Sequence, residues 1–182
     1  MTASASTITA APRPFAQPVS LGRAAAGSAL VAATTLTVTM AFLAIAHLAG
    51  GMRFGDGTHS PIVDGLHVVT ALALLPIPFA LHRLLTSVSP RRSAAGVALA
   101  VDAIAFGAIL QALFAAGVIA FDAAGPLLLI GYVAFAGWLW IVGSLGSTSG
   151  RLPNGRRMAV VGATMVGLPV WLVWIARHLD EA

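Results

Sequence analysis

The chain has 182 residues, of which 58% are hydrophobic and only 9% charged. That leaves too little polar surface to cover a water-soluble core, so an ordinary soluble domain is excluded and a lipid bilayer is the expected partner. The formal charge of +4 comes from ten arginines, with no lysine, against six carboxylates, and no aromatic platform stands beside the arginines, which excludes a nucleic-acid surface. Cysteine is absent, so disulfides, thiolate metal sites, iron–sulfur clusters and covalently attached haem are excluded as well.

Residues 1–20 carry Pro12, Pro14 and Pro18 among Ser, Thr and Ala and read as a disordered cytoplasmic tail. The rest, 21–182, reads as an all-α integral membrane bundle of five transmembrane helices. The first span covers about 24–48, anchored by Arg23 and ended by Gly50 and Gly51. Within it Ala44-Ile45-Ala46 has the small-x-small form of a cleavage site, but the apolar stretch is longer than a signal-peptide core. The connection GGMRFGDGTHS reads as a tight exposed loop. Ser60-Pro61 then has the form of a helix cap followed by proline at the first helical position.

The second span, about 61–85, contains Pro76 and Pro78, which predict a kink near the membrane centre. The third, about 93–121, is interrupted only by Asp102 and Gln111. Pro126 opens the fourth, about 126–145, and the polar loop GSTSGRLPNGRR leads to the fifth, about 158–176. Arg13, Arg23, Arg83, Arg91, Arg92, Arg151, Arg156 and Arg157 then fall on one side, with Arg53 and Arg177 on the other. The excess of arginine marks the cytoplasmic side. It gives a cytoplasmic N-terminus and an extracytoplasmic C-terminus. The preference for Arg, Ala, Gly and Val points to a GC-rich bacterial genome, and hence to a bacterial plasma membrane.

The same topology gathers His47, Asp56, His59, Asp64, His67, Asp122, His178, Asp180 and Glu181 at the outer side. Asp64 and His67 are three residues apart and share a helix face. Together with His47 and His59 they offer imidazole and carboxylate ligands suited to a transition metal. The other reading is that Asp64 stabilises a helix N-terminus while the histidines sit at the interface. A b-type haem needs two histidines on facing helices, for which His47 and His67 are the pair and His178 a third candidate. Trp171, Trp174 and His178 share a face and suit an outer aromatic belt.

Asp102 lies about two and a half turns into the third span, where a carboxylate needs a partner or a proton. Either the hydroxyls of Thr34, Thr35, Thr37 and Thr39 bind it in helix packing, or it takes up a proton or cation. Gln111 lies on the opposite side of that helix and does not share its site.

The segments LHRLLTSVSPRR, WLWIVGSLGS and RLPNGRR resemble a group of bacterial, actinobacterial-type multispan membrane proteins to which no reaction is assigned. The resemblance covers about the last two-thirds of the chain and implies a fold type but no transferable catalytic residue. The expected role is an accessory, regulatory or small-ligand-binding membrane component, with a homo-oligomer or partner membrane subunit as a possible complement. The alternatives are a membrane enzyme or redox subunit with an outward metal or haem site, and a proton-coupled transporter using Asp102.

Overall fold

A computed structural model describes residues 18–49 and 61–181, and every regular element among them is a helix. The predicted tail up to residue 17 and the connection 50–60, with Arg53, Asp56 and His59, lie outside the described residues. Residues 18–20, expected in the tail, already belong to the first helix. In chain order the elements are α1 (Pro18–Leu48), α2 (Pro61–Leu74), α3 (Pro76–Leu85), α4 (Pro90–Ala115), α5 (Phe121–Ser149), α6 (Gly155–Gly162) and α7 (Gly167–Asp180). Four helical stretches are long and apolar enough to cross a membrane: Leu21–Leu48, Ile62–Leu85, Pro90–Ala115 and Ala123–Ser149.

Local sequence sets the boundaries. The second stretch breaks at Leu75 because Pro76 and Pro78 lack the N–H groups that would continue the helical ladder. Near the break, Ser28 of α1 donates to the Ala73 carbonyl at 2.5 Å. α4 stops at Ala115, short of the predicted residue 121. Gly117 there adopts φ +69°, its N–H bonds the Phe114 carbonyl, and the Val118 N–H bonds the Leu113 carbonyl. That pair of bonds is a Schellman ending, which favours glycine at the left-handed position. α5 starts earlier than predicted, so Pro126 lies inside it rather than at its first position.

Register follows from a few side-chain contacts. Thr35 faces Thr70 at 2.7 Å, so α1 and α2 are antiparallel neighbours. His82 faces Ser93 and Asp64 faces Gln111, both at 2.8 Å, which aligns α2 and α3 against α4. A Cβ on Gly131 would lie 3.2 Å from the Phe106 ring and one on Gly137 3.5 Å from Leu99, which fixes α5 against α4.

The fifth predicted span requires correction. Residues 158–176 do not form one helix: the chain breaks between α6 and α7 and reverses. Gly155 and Ala159 of α6 lie against Gly143 of α5, at the same end of the bundle as the α3–α4 connection. At the tip, Thr164 Oγ1 accepts the Gly167 N–H at 3.0 Å, and Tyr132 of α5 donates to the Ala163 carbonyl at 2.5 Å. α7 then returns along α1 until Leu179 reaches Gly22, where an added Cβ would be 2.7 Å from the Leu179 carbonyl oxygen. With 8 and 14 residues, the two helices are about 12 and 21 Å long, and neither spans a hydrocarbon core of about 30 Å.

Small residues allow this hairpin to nest. A Cβ on Gly162 would be 2.8 Å from Trp171 Cγ, and one on Gly146 would be 2.5 Å from Leu152 Cβ. Trp171 stacks edge-on against Trp138 of α5, with ring centroids 5.7 Å apart. Both indoles are buried, in one cluster with Ala25, Ala29 and Ala32 of α1 and Leu172, Ile175 and Leu179 of α7. The hairpin therefore fills the space between α1 and α5 in one half of the bundle only.

The reversal also gathers charge. All described arginines, namely Arg23, Arg83, Arg91, Arg92, Arg151, Arg156, Arg157 and Arg177, sit at the end where α1 and α4 begin. Asp180 and Glu181 lie there too. Arg151 donates to the Leu84 carbonyl and ties the α5–α6 connection to the end of α3.

Candidate functional site

Where the hairpin stops, the other half of the bundle holds a cavity of about 550 Å³. Its floor is Leu168 at the hairpin tip, and its walls come from α1, α2, α4 and α5. Gly107 and Gly125 help make the space, since a Cβ at either position would meet no atom within 4 Å. Leu129 and Met165, both on the lining, are each 62% exposed, so the mouth opens sideways between α5 and the hairpin tip. The volume falls in the range of small-molecule pockets, about 300–1,000 Å³.

Four lining side chains are polar: His67, Thr70, Gln111 and Tyr132. Three spend hydrogen bonds on the protein itself. Thr70 shares a bond with Thr35 and donates to the Leu66 carbonyl at 2.8 Å. Gln111 donates to the Asp64 carboxylate at 2.8 Å, and Tyr132 holds the hairpin tip. His67 differs. Its Nδ1 is buried and makes no hydrogen bond of good geometry among the described residues, with the Val63 carbonyl and Asp64 as polar neighbours.

These groups are unevenly distributed. Gln111 and His67 stand toward the end away from the arginines, whereas Leu74, Phe135 and Leu168 line the deeper part. The cavity thus has a hydrogen-bonding end and an apolar end, the shape of an amphipathic ligand.

The residues singled out in the sequence separate as follows. Asp64 is buried in the first turn of α2, where a carboxylate favours the helix N-terminus, and His67 follows on the same face. His47 is exposed in the last turn of α1. Since Thr35 faces Thr70, His67 is level with about residue 38, and His47 lies about 13 Å farther along. The two do not meet at the matching depth that axial haem ligands need. Among the described residues no three His, Asp or Glu side chains come together as a metal site, and His59 lies outside the described residues.

His178 is corrected to the opposite end, because α7 runs back toward Gly22. There its Nδ1 meets the Trp174 carbonyl at 2.9 Å and its ring lies 4.7 Å from the Trp174 ring. The outer aromatic belt is corrected with it, since Trp171 is a core residue of the hairpin.

Asp102 is exposed on α4 and has no hydrogen-bond or ion-pair partner among the described residues. The threonines offered as its partners stand on α1, whereas α4 packs on α2, α3 and α5. Thr34, Thr37 and Thr39 bond carbonyls of their own helix, at 2.9, 2.7 and 2.8 Å. Thr35 is engaged by Thr70.

Several contacts were not anticipated from sequence. Gln111 finds Asp64 across α4 and α2, and His82 finds the buried Ser93 at 2.8 Å. The only sequence signal for the first was a lone amide in an apolar run, which demands a partner without naming it. No family model, no curated protein sequence and no solved structure matches the chain.

Proposed function

We propose that the chain is a plasma-membrane protein with four spans and a re-entrant helical hairpin, both termini cytoplasmic, that binds one long-chain amphipathic molecule taken from the bilayer. The cavity carries this reading. Its apolar depth and polar end match a ligand whose head stays near the outer interface while its chain reaches the bilayer centre. A side mouth in the apolar belt gives entry from lipid rather than from water.

The orientation rests on charge. With α7 turned back, Arg177 joins the other described arginines, and the excess of arginine belongs to the cytoplasmic side. The cavity then faces the outer leaflet. His67 and Gln111 line the polar end of the cavity, so they are the groups expected to recognise the ligand head.

The test is mass spectrometry of lipid extracted from the detergent-purified protein, comparing the wild type with Gly107→Phe. The phenyl ring enters open space at Gly107, so the fold is retained while the cavity is filled. About one equivalent of amphipathic molecule is expected in the wild type and at least roughly tenfold less in the variant. Equal lipid content in both proteins would refute the reading.

A further inference from the structure

The exposed face of α4 is unlike the other exposed faces. On α2, α3 and α5 the outward residues are large and lipid-like, for example Ile62, Leu72, Phe79, Ile130 and Val133, which are 47–65% exposed. On α4 the outward row is Ala95, Ala98, Asp102, Ala105, Ile109 and Ala112, every one of them exposed. Alternating steps of three and four residues form a straight seam for a left-handed helix pair. Alanine at most of its positions lets two backbones approach closely.

Asp102 stands in the middle of that seam, 12 residues from Pro90 and 13 from Ala115 in a 26-residue helix. A carboxyl group facing hydrocarbon at the bilayer centre is costly unless it is paired, and no described residue pairs with it. We infer that a second copy of this chain covers the α4 face. Copies in one membrane share an orientation, so a two-fold axis along the membrane normal sets α4 parallel to its counterpart and in register. Each Asp102 then meets the other copy's Asp102, and the two protonated carboxyl groups each donate to the other's carbonyl oxygen, which leaves the pair neutral in the hydrocarbon. A single polar group in an otherwise apolar seam also fixes register and partner number. A partner bearing a basic side chain would meet the same carboxylate, but nothing in the seam besides Asp102 is polar, and a second copy needs no further component. The inference rests on the four long helices crossing a bilayer and is independent of what occupies the cavity.

The chain has no cysteine, so single cysteines report proximity directly. Ala98→Cys and Ala105→Cys on the seam are compared with Leu72→Cys on α2 and Val133→Cys on α5, by copper-phenanthroline oxidation of the full chain reconstituted alone in liposomes. Cross-linked dimer at the two seam positions is expected to exceed that at the other two by at least about tenfold. Asp102→Leu in the Ala105→Cys background is expected to lower the yield by about tenfold, in line with 1–2 kcal/mol for an intramembrane polar contact. Asp102→Asn, whose amides can bond each other, keeps most of it. Cross-linking that is absent, equal at all four positions, or indifferent to Asp102→Leu would overturn the proposal. Carbonate washing of the same liposomes separates the two causes of failure: a chain that washes off contradicts the spans, and one that stays but does not cross-link contradicts the dimer.

Discussion

The contact between Gly143 of α5 and Gly155 of α6 decides whether the hairpin lies where it is described, and it can be probed with one methyl group. A Cβ at Gly143 would press into the Gly155 carbonyl oxygen and come within 2.8 Å of Ala159 Cβ. Most of that obstruction is backbone, which cannot swing aside as the end of a long side chain could. Gly143→Ala therefore forces α6 off α5, an overpacking cost of about 1–3 kcal/mol. The exchange also removes glycine's backbone entropy in a helix, a gain of up to about 1 kcal/mol. Gly107→Ala, also inside a long helix, makes the same gain with nothing within 4 Å of the new methyl. The difference between the two variants cancels helix propensity and leaves the clash, so Gly143→Ala should be less stable than Gly107→Ala by about 1–3 kcal/mol. Unfolding in mixed detergent and sodium dodecyl sulfate micelles, followed by tryptophan fluorescence, measures both. The packed Trp138 and Trp171 report on the same region. Two variants of equal stability would mean that α5 and α6 do not touch at Gly143, and the hairpin would be misplaced.

Gln111→Leu removes the donor to the buried Asp64 carboxylate and should cost about 1–3 kcal/mol in the same unfolding assay; a loss below about 0.5 kcal/mol would speak against the α2–α4 register. Trp171→Ala empties the space between Gly162 and Trp138, with an expected loss of about 3–5 kcal/mol, whereas an indole in an interfacial belt could be removed with little effect. The Trp174 ring, packed on His178, is half-buried rather than part of the deep core, so Trp174→Ala should cost clearly less than Trp171→Ala.

Much of the bundle was legible in the sequence because each of its long helices is a long apolar run bounded by glycine, proline or arginine. The break at Leu75 was legible for the same reason, since Pro76 and Pro78 cannot continue a helical ladder. The reversal near Thr164 was not. Residues 158–176 are long and apolar enough for a span, and the Gly162, Gly167 and Pro169 within them are tolerated in membrane helices. One clue was present: on the five-span reading Arg177 fell on the arginine-poor side, and turning α7 back removes that exception.

The cavity was illegible for a different reason. Asp64 and Gln111 are 47 residues apart, and their meeting depends on the offset between α2 and α4, which hydropathy does not encode. His67 was found from its spacing to Asp64, but its proposed partners were not. His178 left the group when α7 turned back, and His47 stands too far along α1. Asp102 was singled out by cost alone, and the structure adds that it faces outward from the bundle.

The side of the membrane on which the chain ends tests the account most directly. A C-terminal fusion to green fluorescent protein, which matures in the cytoplasm, is compared with a fusion to alkaline phosphatase, which is active only outside it. The hairpin places Leu179 beside Gly22, so the account predicts a fluorescent fusion and an inactive phosphatase. An active phosphatase with a dark fluorescent-protein fusion would restore a fifth span and contradict the reversal, the floor of the cavity and the orientation drawn from the arginines.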